Sequence, residues 1–397
     1  MPILNNYTAF AGRHYETGTI HNALAYQGVR APHTNAPYSE ALLLGVSGGA
    51  AFGYFTFHYD GLDPQLNLIT RNTFDPLETL LDRLAIPHDI LGTGSAKTAE
   101  KNLLEVLENG QPAIVWASVP SLPYSTPAYA DFDHYMLPSL VYGHADGTVH
   151  IADRAGVPFT VSAEQLAEAR GAVKKFKHRL MTVQAPNAAK LATAVTRGIW
   201  SAISLYTEAP PKGARHNFGL AAYDHWAKML TNTRNKNSWE RYFPAGSGLY
   251  SALSWGYMWI TDWGAGEGFE RGMYADFLDE AAVILEKGAL REAAATFRES
   301  AAAWLSLGAA MLPDEVPPLR ETRDLMDQRR HLFITQGETP ERRTANERLA
   351  AIKAEVAADF PMSADEVTAF RANLAEHVLN IRDIEASAVE VMQAAMA

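Results

Sequence analysis

An α+β half ending near residue 186, followed by an all-helical half, is the fold class this 397-residue sequence predicts. Three observations predict it. Short β-branched and aromatic runs sit between Gly and Pro punctuation up to Pro186. Apolar residues at spacings of three and four mark helices among those runs. After Pro186-Asn187 the strand pattern disappears, and roughly two hundred residues rich in Ala, Leu and Glu carry only helical periodicity. The expected domains are therefore 1–186 and 187–397.

In the first half the strand runs are Ala50 to Phe57, Ala113 to Val119, Tyr135 to Tyr142, Thr148 to Ala152 and His178 to Val183. Helices are expected over Glu16 to Tyr26, Asp75 to Leu84, Ala96 to Asn109 and Ala163 to Arg170. The third has a start signal at Thr93-Gly94-Ser95 and a stop at Gly110. Pro138 lacks the N–H that a ladder needs, so its strand should lie at an edge or carry a bulge. In the second half, breaks at 209–213, 243–246, 264–266, 312–313 and 316–318 divide the chain into bundle-length helices. The last segment, Glu341 to Met396, alternates charge along an amphipathic pattern and should pack on the bundle or on a second subunit.

Composition excludes several function classes. With 34 basic and 45 acidic residues the formal charge is -11 and the basic residues are not segregated, so nucleic acid is not an expected partner. No run of eighteen apolar residues occurs and the start lacks a signal pattern, so a soluble, cytoplasmic protein with no membrane partner is expected. The chain contains no cysteine. That removes disulfides, thiolate metal sites and thiol nucleophiles together. No metal and no cofactor is called for. His150 and Asp153 make a poor metal pair, because on one strand their side chains diverge.

The chemistry is expected in the first half. Tyr15 stands at the head of the first helix, where dipole and free amides favour an anion, a position that suits a nucleophile. A phenol of pKa about 10 is only about 0.1% ionised at neutral pH, so the alternative is a tyrosine that packs its ring and hydrogen-bonds its hydroxyl. His134 opens the apolar run through Val141, and Val149, Ile151 and Asp153 share a face of the returning strand. Asp153 would then orient His134 as an acid orients a catalytic base, or the two would form a structural hydrogen bond within a hairpin.

Around this trio, Glu40 is placed to bind an amine or to be satisfied by local amides. Gly45, Gly48 and Gly49 suit either a backbone-approach site or a turn with positive φ. Asn5, Asn6 and His14 are candidate oxyanion donors. Thr17 and His21, four apart on one helical face, form an alternative nucleophile and base, or core packing. In the second half Trp255, Trp259 and Trp263 form a stripe near Trp239, Tyr242, Phe243, Tyr250 and Tyr257. Such a stripe is a core face or the wall of a pocket, with Glu267 and Arg271 as polar anchors beside it.

Several blocks together resemble one known family. They are Gly12-Arg13-His14 with Glu16-Thr17, Tyr26-Gln27-Gly28, Ser39 to Gly49, Leu122-Pro123-Tyr124, His134-Tyr135, Val149 to Asp153 and Ala163 to Arg170. They resemble the N-terminal domain of the butirosin biosynthesis protein H family. Phe269 to Ala282 resembles the domain of uncharacterised function that often follows it. The resemblance implies a papain-like, cysteine-protease-type N-terminal domain and, for the founding member, acyl transfer from a carrier-protein thioester to an aminoglycoside amine. It puts the family's cysteine at Tyr15, its base at His134 and its acid at Asp153, with His14, Glu16, Thr17, Glu40, Gly48 and Gly49 as candidate substrate contacts. It also implies a small-molecule amine or acyl substrate, an acyl carrier protein and a role in secondary metabolism. The readings are an acyltransferase without a cysteine, an inactive pseudoenzyme that binds a small molecule or carrier protein, and a hydrolase or cyclase using Tyr15 or Thr17. A homo-oligomer is compatible with each.

Overall fold

The computed structural model describes residues 2–58, 61–125, 135–208, 214, 216–263 and 268–397. In chain order its elements are α1 (Thr17–Tyr26), α2 (Glu40–Val46), β1 (Ala50–Phe57), β2 (Gln65–Arg71), α3 (Pro76–Arg83), β3 (His88–Leu91), α4 (Ala96–Glu108), β4 (Ala113–Ser118), β5 (Met136–Ala145), β6 (Thr148–Ala152), β7 (Phe159–Ser162), α5 (Ala163–Gly171) and β8 (Leu180–Val183). There follow α6 (Leu191–Thr207), α7 (Gly219–Thr231), α8 (Trp239–Tyr242), α9 (Ser247–Met258), α10 (Arg271–Ile284), α11 (Leu290–Met311), α12 (Pro317–Gln336), α13 (Pro340–Ala358) and α14 (Ala364–Met396). The architecture is mixed α+β with a sheet near the N-terminus and a helical C-terminal region, as expected. Strands β2, β3 and β7 had no counterpart in the sequence reading.

Two compact units emerge, and neither is continuous in sequence. The first comprises 1–43, 81–190 and 328–346; the second comprises 44–80, 191–327 and 347–397. The chain passes between them near the change of texture at 186, but a single boundary there does not describe them. Residues 44–80 fold with the helices, and 328–346 fold with the sheet.

The first unit is built on a six-stranded antiparallel sheet of order β3-β8-β4-β5-β6-β7. Its middle strands bury Ile114, Val115, Leu140, Val141, Val149 and Ile151 completely. Between β5 and β6 the chain turns at Asp146 and Gly147, both at positive φ, the two-residue turn whose twist matches a hairpin. Pro138 lies opposite Trp116 of β4, where β5 has no second neighbour among the described strands, because pairing with β6 starts only at Leu140. The proline is therefore tolerated at a local edge, and the register shift of β5 comes later, between Val141 and Gly143.

The second unit packs the β1–β2 hairpin with the helices, α11 and α14 forming its most extensive helix pair. Along α14 the buried residues Val367, Arg371, Leu374, Val378, Ile381, Glu385, Ala388 and Met392 recur at alternating steps of four and three. Two of those seam positions are charged. Arg371 donates to the carbonyls of Trp239 and Phe243 at 3.3 and 2.9 Å. Glu385 is fully buried and accepts from Arg271 Nε, Ser300 and Trp304 on one oxygen and from Tyr206, Tyr223 and Arg271 Nη2 on the other. Arg271 also donates to the carbonyls of Thr70 and Ala51, which ties the hairpin into this core. Neighbouring Glu270, itself fully buried, accepts from Thr70 Oγ1 at 2.7 Å and pairs with Arg71, both buried residues of the same hairpin.

Candidate functional site

Residue 15 is presented by a tight loop that two glycines permit. A Cβ on Gly12 would lie 2.4 Å from the carbonyl oxygen of Gly18, and one on Gly18 would lie 2.8 Å from the backbone nitrogen of Arg13. The loop can therefore cross directly over the first turn of α1, and the Gly12 N–H donates to Asn22 Oδ1 in the second turn at 2.9 Å. Thr17 opens the helix one residue later than expected, with Glu16 at the N-cap position and Tyr15 just before it. The Glu16 side chain makes no cap bond. Thr19 Oγ1 instead donates to the carbonyls of Tyr15 and Glu16 at 2.9 and 2.8 Å.

Glu40 holds this loop from the first turn of α2. Its Oε2 accepts the Arg13 N–H at 2.7 Å, and its Oε1 accepts the His14 N–H at 2.8 Å and the Thr17 hydroxyl at 2.9 Å. Of the two expectations for Glu40, satisfaction by local amides describes its bonding. One buried carboxylate thus fixes the backbone on both sides of the turn that carries Tyr15. The Tyr15 ring lies over the buried His14 ring with centroids 3.8 Å apart, and Tyr15 keeps partial exposure. His14 Nδ1 accepts the Glu16 N–H at 3.2 Å.

Asp153 sits just beyond the end of β6, on the buried face shared by Val149 and Ile151. Its Oδ2 accepts the Tyr124 hydroxyl at 3.1 Å, and its Oδ1 accepts both the backbone N–H and the Nε–H of Arg154, at 2.8 and 3.1 Å. Burial first, and then the adjacent Asp153 charge, push the Tyr124 phenol well above its usual range, so it stays a proton donor. Arg154 Nη2 reaches Ser125 Oγ at 3.3 Å. The C-terminal return of the chain braces this corner: Phe159 stacks on Tyr124 at 4.2 Å and on Phe333 at 5.3 Å, and Arg342 donates to the Tyr124 carbonyl at 3.0 Å.

The two loops are neighbours. Arg13, whose Nη1 donates to the Phe10 and Gly12 carbonyls, brings its Nη2 to 3.7 Å from where a Cβ on Gly156 would stand. His134 lies outside the described residues, so the approach of Arg13 to Gly156 is what links the Tyr15 loop to the Asp153 corner.

The remaining sequence candidates are elsewhere or otherwise engaged. Gly48 and Gly49, at φ 123° and 74°, belong to the second unit, and a Cβ on either would collide with Asn72 or Tyr274. Their backbone is approached by the protein's own side chains, as a turn requires. Thr17 donates to Glu40, while His21 Nδ1 lies 2.7 Å from the Tyr38 carbonyl, which fixes Nδ1 as the protonated nitrogen. Asn5 and Asn6 are exposed. Trp239 is fully buried, with its indole N–H on the Tyr54 hydroxyl at 3.1 Å, and Trp255 stacks with Trp259, whose indole N–H meets the Leu66 carbonyl at 3.1 Å. Glu267 lies outside the described residues, and the carboxylate that partners Arg271 is Glu385.

Sequence reasoning missed Tyr124 as the partner of Asp153, and it missed Glu385. For Glu385 a signal existed: a lone carboxylate at a seam position of a long helix marks a buried charge that needs a cation. Tyr124 had no such signal, because pairing across 29 residues of chain leaves no periodic trace.

Residues 14–154 match the family model described as "Butirosin biosynthesis protein H, N-terminal", and residues 164–333 match "Domain of unknown function (DUF4872)". No curated protein matches the chain. The first match begins at the Tyr15 loop and ends at the Asp153 corner. The chain therefore carries a butirosin biosynthesis protein H-type N-terminal domain over residues 14–154, followed by a DUF4872 domain over residues 164–333.

Proposed function

We propose that the sheet unit is a papain-like scaffold for acyl transfer from an acyl thioester to an amine, working without a covalent enzyme intermediate. The observation that carries this reading is the Glu40 clamp. Three hydrogen bonds on a buried carboxylate keep the loop around residue 15 rigid although no thiol stands there, beside a retained acid at Asp153. A thioester is reactive enough that a held amine can attack it directly, so positioning supplies much of the rate. In that step the amine nitrogen bonds to the carbonyl carbon and the carbon–sulfur bond breaks. The thiolate leaves, and His134 takes the proton that the amine loses. Tyr15 donates a hydrogen bond to the carbonyl oxygen as negative charge gathers on it. The substrates would come from secondary metabolism, with a carrier protein presenting the acyl group.

Purified protein offered an acyl thioester and a panel of amines should release free thiol, and His134→Ala should slow the release. Equal rates for the two proteins would remove the proposal.

A second reading, a pseudoenzyme that binds such a molecule without turnover, draws support from Asp153. Each of its oxygens is already engaged, by Tyr124 on one side and by Arg154 on the other, which suits a structural anchor as well as a base-orienting acid. Thermal stabilisation by a metabolite recovered unchanged, with no thiol release, would select it.

A further inference from the structure

Away from the Tyr15 loop, the first unit contains a cationic group that the described residues leave without an anion. Arg170, in the last turn of α5, is 3% exposed, and no carboxylate pairs with it among the described residues. Its Nη2 donates to the His178 carbonyl at 2.6 Å and its Nη1 to the Ala99 carbonyl at 3.5 Å, while Nε, also buried, has no partner among the described residues. Guanidinium groups carry five N–H donors, so this one retains unused capacity. A buried charge without a counter-charge is costly, and proteins pair such groups or supply a ligand. Burial lowers Arg170 to about 10, which leaves it charged at neutral pH.

Arg170 lines a cavity of about 30 Å³ between α4, α5 and the β5–β6 hairpin. Two histidines line it too. His144 is 3% exposed, and neither its Nδ1 nor the buried Nδ1 of His178 has a hydrogen-bond partner among the described residues. Leu103 and Leu166 supply apolar wall, and Glu100, about half exposed, stands 3.4 Å from His144 Nε2. Arg170 Nε, His144 Nδ1 and His178 Nδ1 are thus buried polar atoms around one cavity with no hydrogen-bond partner among the described residues, and the Arg170 Nε–H is a fixed donor facing no acceptor.

We propose that this cavity binds a small monocarboxylate, its head group on Arg170 with His144 and His178 beside it and its carbon chain against Leu103 and Leu166. Arginine grips a carboxylate through a planar fork of N–H groups, and a single fixed positive charge matches a single negative one. The apolar wall favours a carbon chain over a bare inorganic ion. The volume suits a molecule of a few heavy atoms. Glu100 repels the ligand and sets its affinity.

The test is the thermal midpoint of the full chain as sodium acetate replaces sodium chloride at constant ionic strength. A ligand that binds only the folded state raises the midpoint saturably. The proposal expects that rise with acetate, its loss in Arg170→Met, and a half-saturating concentration about threefold lower in Glu100→Gln, the effect of removing one partly screened charge. Identical midpoints in acetate and chloride would mean that water alone fills the cavity and would overturn it. So would an acetate effect unchanged in Arg170→Met. Should that variant fail to fold, an unchanged half-saturation in the Glu100→Gln protein, where an exposed residue is altered, would overturn it equally.

Discussion

Glu40 accepts the backbone N–H of His14 at 2.8 Å, so the chain on either side of residue 15 is set by a carboxylate twenty-six residues away. Glu40→Ala would strand two backbone donors and a hydroxyl in a partly buried loop. Hydrogen bonds to a charged group contribute about 1.5–3 kcal/mol each, and the loop can recover some of them from water. A loss of roughly 2–4 kcal/mol is expected, with Glu40→Gln losing about half. Chemical denaturation measures the cost, and faster amide exchange at Arg13 and His14 locates it.

Gly12→Ala should be comparably damaging for a different reason. The new methyl would meet the Gly18 carbonyl at 2.4 Å, and two backbone segments cannot both move without opening the loop. Gly28→Ala, at φ 70° but with open space around it, should cost only about 1 kcal/mol through backbone strain. Comparing the two denaturation midpoints separates packing from strain.

In the helical unit, Glu385→Gln should be among the most destabilising single changes, by about 3–5 kcal/mol, because it leaves Arg271 buried and uncompensated. The Arg271 charge holds the Glu385 carboxyl below the usual carboxylate range against the opposing effect of burial. A folded-state pKa below the unfolded one contributes stability that is present above the unfolded value near 4.5 and lost as pH falls through the folded value. Wild type should therefore lose stability more steeply below about pH 4.5 than Glu385→Gln, while the gap stays constant between pH 6 and 8. Thermal melts across that range measure both slopes.

A fragment of residues 1–186 should fail to fold as a cooperative unit. It lacks Phe333, stacked on Phe159, and Arg342, which donates to the Tyr124 carbonyl. The full chain should give dispersed amide resonances and the fragment a collapsed spectrum.

That interleaving marks the limit of what the sequence could tell. Strand β1 was legible to the residue and α1, α4 and α5 to within one, since each carries its own periodicity and end signals. Strand β1, the one strand of the β1–β2 hairpin legible in the sequence, reads as part of the first-half domain because strands suggest one sheet. The hairpin's allegiance is decided by Arg271 and Glu270, about two hundred residues later, through bonds to Ala51, Thr70 and Arg71. Tyr15 and Asp153 were legible as positions through family resemblance. The groups that hold them were only partly so: satisfaction by local amides was one of two roles expected of Glu40, and which donors supply it was not legible.

The central claim is that this fold positions an amine against a thioester without a thiol. The most direct measurement is single-turnover thiol release from an acyl thioester in the presence of amine, for wild type, Tyr15→Phe and His134→Ala. The account predicts release with no acyl adduct on the protein by intact mass, slowed about 10- to 100-fold in Tyr15→Phe by loss of one oxyanion donor and more than tenfold in His134→Ala. Identical rates in all three proteins, or an acylated Tyr15 or Thr17, would contradict it.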